Sequence, residues 1–278
     1  MKKLINSKYG LLLAFGLTSI VVQCSTAAVA ASTVKKQTVW KDQVEKTESR
    51  VWKPLIAFSA GAAFSDKIGR SQFIPIRDPI EDQFFSYAAD HSTQSKFIYG
   101  ASLGIEFLLN PKWFLQTNVS YYQPMKFHAH GIVTQGADAL SADSFSYAYD
   151  IQVRQVLFES KLLYNWLYRS MSFYPYVSAG IGVGLNSARN YNVNIVPPFT
   201  TFSNQFTNET NTSFSYKVGL GVDYEVANHV RVGVGYRFAD FGRVKLGNAS
   251  INQIPTLNNL SQSHLYTNEI LGQITVVI

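Results

Sequence analysis

The chain has 278 residues, with 24 Lys and Arg against 18 Asp and Glu for a formal charge of +6, and a single cysteine, Cys24. So mild an excess of base does not argue for a nucleic-acid partner, and one cysteine excludes a disulfide scaffold or a thiolate metal site. Aromatic residues make up 14% of a chain only 15% charged, a balance that favours strands.

The chain opens with basic MKKLINSKYG, followed by the apolar run LLLAFGLTSIVV from Leu11 to Val22, too short to span a bilayer. With the small-x-small pattern Ala28-Val29-Ala30, residues 1–30 read as a signal peptide for Sec-type export, with the mature chain starting near Ala31. Cys24 leaves with it. So do Lys2, Lys3 and Lys8, which leaves 21 basic residues against 18 acidic ones, a charge of +3. Residues 31–50, with VKKQTVWKDQVEKTESR, are expected to form a polar periplasmic lead-in with no fold of their own.

From residue 51 onward the pattern has period two. Eight alternating segments are predicted, at 52–65, 95–109, 112–124, 147–168, 171–187, 212–226, 229–240 and 264–278. Their connections alternate in length. Residues 110–112, 167–170 and 227–229 are tight turns, whereas 66–94, 125–146, 188–211 and 241–263 are long loops. Short turns at one end and long loops at the other are the habit of a transmembrane barrel with periplasmic turns and extracellular loops.

In "PYVSAGIGVGLN", residues 175–186, Val177, Ala179, Ile181, Val183 and Leu185 form an apolar face opposite Gly180, Gly182 and Gly184. The glycines are expected to leave room for longer side chains from other strands inside a narrow barrel. Aromatics mark both ends of the apolar faces. Trp52, Phe107, Trp113, Trp166, Phe173 and Tyr224 lie near the short turns, and Phe97, Tyr99, Tyr121, Phe214, Tyr236 and Phe238 near the long loops, as two interfacial girdles. "PYVSAGIGVGLN" and "VGVGYRFADFGRVKLG" resemble strand signatures of the small outer-membrane β-barrels, the group of opacity-type surface antigens and OmpA-, OmpX- and OmpW-like proteins. The resemblance runs from Trp52 to Ile278. It implies an all-β, eight-stranded antiparallel transmembrane barrel over 51–278 in a Gram-negative outer membrane, in contact with lipid and lipopolysaccharide. The chain ends in Ile278 where such chains usually end in Phe, and no carboxy-terminal peptidoglycan-binding domain is expected.

Glu106, Glu159, Lys161, Lys217, Asp223, Glu225, Arg231, Arg237 and Glu269 all have the inward parity. Mixed signs imply a paired network, since a buried charge must find a partner. Glu225 is expected opposite Arg231, and Asp223 near Lys217, Arg231 or Arg237. His128-Ala129-His130 places two imidazoles on one side of an extended segment, but with no third ligand it reads as a solvated loop entrance and not a metal site. Ser263-His264 lacks the His-x-Ser-Asn pattern of lipid A deacylase barrels, and Glu269 has the opposite parity, so no catalytic residue, metal or cofactor is assigned. The loops mix Asn, Thr and Ser with aromatics, which suits recognition of a host or cell-surface protein or glycan. The functional expectation is a non-enzymatic, monomeric surface barrel, structural or adhesive, acting through four extracellular loops. A narrow passive channel for small solutes is the alternative, and a lipid-modifying barrel enzyme the third.

Overall fold

The computed structural model describes residues 52–76, 83–136, 143–169, 171–194, 205–251 and 254–278. The expected signal peptide 1–30 and the expected lead-in 31–50 lie outside them. Every regular element among the described residues is a strand. β1 (Trp52–Ser65) is followed by the short β2 (Gln72–Ile76) and β3 (Gln83–Ala89), then by β4 (Gln94–Asn110) and β5 (Trp113–Pro124). β6 (Phe127–Gly136) leads to β7 (Asp143–Tyr164), β8 (Trp166–Tyr168) and β9 (Met171–Asn194). Next come β10 (Gln205–Phe206), β11 (Glu209–Ala227) and β12 (Val230–Asp240). The short β13 (Val244–Lys245), β14 (Ala249–Ile251), β15 (Ile254–Pro255) and β16 (Ser261–Gln262) precede the last strand, β17 (Tyr266–Val277).

Eight of these close a ring of antiparallel pairs in the order β1, β4, β5, β7, β9, β11, β12, β17, and β17 returns to β1. Closure removes the unpaired edge that an open sheet would present to lipid. Each wall strand sends alternate side chains to opposite faces, and the outer face is apolar all the way round. Phe58, Leu103, Val119, Phe158, Ile181, Leu220, Val234 and Ile274, one from each strand, are all exposed. In water such a continuous apolar band would be a liability; against hydrocarbon it is the matching surface.

The strands follow the expected segments, with one systematic difference: where long loops are expected, the chain continues as strand. β7 and β9 run well past the wall as a paired hairpin, out to Ser146 opposite Asn194. The outer part of β7 exchanges its neighbour β5 for β6, which pairs β3, which pairs β2. The expected loop 125–146 is therefore largely strand. β10 of the third connection pairs β14 of the fourth, and Gln262 of the fourth ties to the first through Lys67 O at 2.7 Å and Gly69 N at 3.0 Å. The four connections interlock into one head above the ring.

The reason is legible on β7. Its inward parity reads Phe145, Tyr147, Tyr149, Ile151 and Val153 before it turns polar at Gln155, and all of these are buried. Those apolar side chains need a cover, and Phe85, Tyr87, Phe127, Val133, Phe206, Phe241, Leu246 and Leu260 from the connections supply it as one core. Burying a side chain of this size is worth about 1.5–3 kcal/mol, enough to order connections that would otherwise be mobile.

Candidate functional site

The interior of the ring below this core is a layer of ion pairs. Lys161 Nζ lies 2.6 Å from Asp223 Oδ2, and Lys217 Nζ lies 2.6 Å from Glu159 Oε2. Arg231 forks onto both oxygens of Glu106, with Nη2 donating to Oε1 at 3.1 Å, and Arg237 pairs Glu269. All eight side chains are buried. One sequence expectation is corrected here: Asp223 meets Lys161 rather than Lys217, Arg231 or Arg237. Glu225 does lie opposite Arg231 in register, and its carboxylate accepts the Tyr174 hydroxyl at 2.8 Å. Facing residues on neighbouring strands are closely spaced, but a long side chain in a narrow barrel reaches across the lumen, which adjacency in sequence does not reveal.

Neutral groups engage three of the four carboxylates, while Asp223 Oδ1 is buried without a hydrogen-bond partner among the described residues. Ser120 Oγ donates to Glu159 at 2.8 Å, Gln116 Nε2 to Glu106 at 2.7 Å, and Thr267 Oγ1 to Glu269 at 2.7 Å. Aromatic faces back the cations: Arg237 stands 3.7 Å over the Tyr122 ring and Lys161 3.7 Å over Tyr176. Such contacts strengthen when desolvated. A Cβ at Gly235 would stand 2.2 Å from Tyr176 Oη, so that glycine makes room for the tyrosine. The three glycines of "PYVSAGIGVGLN" split. Gly180 accommodates the Lys217 stem, but Gly182 abuts the β7 backbone and Gly184 the Phe241 carbonyl, so only the first serves a side chain from another strand.

A cavity of about 20 Å³ remains amid this layer, room for about one water. The apolar core closes the ring above.

The girdle residues sit on the outer wall. Trp52, Trp113, Trp166 and Tyr236 are exposed, and Phe173 packs on Tyr224 with ring centroids 5.2 Å apart. Trp52 lies opposite Phe107 in the pairing of β1 with β4.

The head presents a second surface. On the outer face of β2, β3, β6 and β7, Phe73 and Ile132 are exposed among Ser86, Thr134, Ser144 and Ser146, which line up across the strands. His128 and His130 stand on this face in regular strand rather than at a loop entrance. His128 Nδ1 lies 2.6 Å from Asp150, and His130 Nε2 lies 3.0 Å from Asp90. Burial raises the Asp150 carboxyl, but the hydrogen bonds from Asn190 and His128 outweigh it and hold the group below the ordinary carboxylate range. Beneath, Tyr87 and Tyr191 pack on Phe206 and, with Tyr149, on Tyr147, and burial pushes the four phenols up, that of Tyr147 to about 12. The Tyr87 and Tyr191 hydroxyls share a hydrogen bond at 3.1 Å. Sequence reasoning missed this cluster because its residues come from two separate connections and the outer end of β7. The inward parity of Tyr147 and Tyr149 was the available signal.

The closed ring, apolar outer band and two belts of aromatics define a small β-barrel that crosses a bilayer with strands. Residues 84–255 match the outer membrane protein beta-barrel domain, more than half of the chain, and the protein belongs to that family of the Gram-negative outer membrane. Among solved structures it is similar to Neisserial surface protein A, at 15% identity and a TM-score of 0.37, covering 81% of this chain and 97% of that one. It is similar also to the outer membrane protein OprG from Pseudomonas aeruginosa, at 15% identity and a TM-score of 0.43, covering 80% and 95%. A third likeness is to the outer membrane protease OmpT from Escherichia coli, at 10% identity and a TM-score of 0.45, covering 81% and 97%. No curated protein matches the sequence.

Proposed function

We propose that this protein is a non-enzymatic surface barrel, structural or adhesive, that works through its extracellular head and not through a passage along its axis. The observation that carries the reading is the filled interior: an apolar core above four buried ion pairs, with a residual cavity of about 20 Å³ among them. Packing of this kind among the described residues speaks against the passive conduit. A lipid-modifying site would need a serine hydroxyl on His264 Nε2; Asp240 holds Nδ1 at 2.7 Å, but no serine hydroxyl meets the ring among the described residues. What the barrel offers its surroundings is the head, where Phe73 and Ile132 stand among hydroxyls. Exposed apolar groups beside adaptable polar ones suit a protein or glycan partner.

The test is adhesion by cells displaying the protein, on surfaces coated with host-cell glycans and matrix proteins. Displaying cells are expected to be retained more than cells without it. Phe73→Ser with Ile132→Ser should abolish the difference while the barrel still migrates differently in boiled and unboiled samples. Equal retention of cells with and without the protein would contradict the adhesive form of the reading.

A further inference from the structure

A cavity of about 480 Å³ opens at the long-loop end of the seam between β1 and β17, outside the ring. Lys67, Arg70, His91 and His264 line it, with Asp66 as a carboxylate among them. Asp66 accepts a hydrogen bond from Thr93 Oγ1 at 3.1 Å. Neither Lys67 nor Arg70 has a carboxylate partner among the described residues. Two cations with no carboxylate partner among the described residues and two imidazoles in one concave site form a cradle for an anion.

His264 is held in place for such a role. Asp240, 2% exposed, accepts from Gly242 N on Oδ1 at 2.7 Å and meets His264 Nδ1 on Oδ2 at 2.7 Å. The ring lies 5.5 Å from Tyr266 at an interplanar angle of 2°. With Nδ1 fixed on a buried carboxylate, Nε2 is the nitrogen left for a ligand.

The position of the cavity says where the anion comes from. Tyr266 and Asn268 complete its lining, and on β17 they share a face with Ile270 and Ile274, which are exposed to lipid. The cavity therefore continues directly into the apolar outer wall. An amphiphile could place acyl chains along Ile270 and Ile274 and its charged group beside Lys67 and Arg70. We propose that this cavity binds the phosphorylated headgroup of an outer-leaflet lipid, as on phosphorylated lipopolysaccharide. The proposal does not depend on the adhesive reading, since it concerns the rim of the wall and not the outer face of the head.

The experiment uses the full mature chain folded in neutral detergent, with affinity read from the rise in unfolding temperature on titration. Lipopolysaccharide is expected to bind, its enzymatically dephosphorylated form at least about tenfold more weakly, as for the loss of charge-assisted hydrogen bonds. Lys67→Gln with Arg70→Gln should weaken lipopolysaccharide at least about tenfold. Lys126→Gln with Arg243→Gln, which removes the same charge elsewhere on the long-loop side, should leave affinity within about twofold. Inorganic phosphate should bind at least about a hundredfold more weakly than lipopolysaccharide, a gap of about 2.7 kcal/mol. Equal binding of free phosphate overturns the lipid assignment, and equal damage from the two pairs of substitutions overturns the site. His264→Gln supplies an independent check by keeping the overall fold and removing the imidazole; affinity unchanged in that variant overturns the role of His264.

Discussion

Arg231 faces Glu225 across the pairing of β11 with β12, yet its guanidinium forks onto Glu106 of β4, three strands away round the ring. Strand adjacency alone thus does not fix the ion pairs: Arg237 pairs the Glu269 that faces it on β17, whereas Arg231 passes over Glu225. Charges that bridge the lumen cross-link distant parts of the wall, and each depends on a partner far away in sequence.

Glu106→Gln should therefore cost about 3–5 kcal/mol, the penalty for leaving a buried charge without its partner. Combining it with Arg231→Gln should cost less than the sum, with a coupling of about 0.5–3 kcal/mol. Glu225→Gln combined with Arg231→Gln should show a smaller coupling. Reversible unfolding in lipid vesicles measures all three, and a larger coupling at Glu225 than at Glu106 would reverse the assignment.

Leu220 lies midway along β11 on the exposed apolar face. Leu220→Arg should destabilise the barrel by about 2–4 kcal/mol, the cost of a basic side chain at the bilayer midplane. The same vesicle assay reads it. A cost near zero would mean that this face is not in hydrocarbon.

The head should loosen in acid ahead of the barrel. Asp150 is held below the ordinary carboxylate range in the folded head, so its contribution is present above its unfolded value of about 3.9 and is lost as pH falls through the lower, folded value. Amide exchange in β6 and the outer half of β7 should rise over that interval, and Asp150→Asn should remove the rise. Exchange that increases equally in both proteins would place the acid response elsewhere.

Much of the wall is legible from alternation alone, because a strand between lipid and a narrow lumen must separate apolar from polar residues at every step. The parity of Glu159, Lys161, Lys217 and Arg237 is therefore readable, and so is the apolar band from Phe58 to Ile274. Pairing is not, since Asp223 and Lys161 are 62 residues apart and meet only once the ring closes. The head is hidden for a related reason. Tyr87, Tyr191 and Phe206 come from two connections that read as loops, and Tyr147 from the outer end of a strand. Only their assembly supplies the shared core that makes strands of β6 and the outer halves of β7 and β9.

The central claim is that the ring is a filled support for its head and not a conduit, and single-channel recording in planar bilayers tests it most directly. The account predicts that the folded wild-type protein gives no sustained ion current at ordinary salt, because the apolar core around Phe85, Tyr87 and Phe241 closes the lumen above the ion pairs. A stable, reproducible conductance from the folded, unmodified barrel would contradict it.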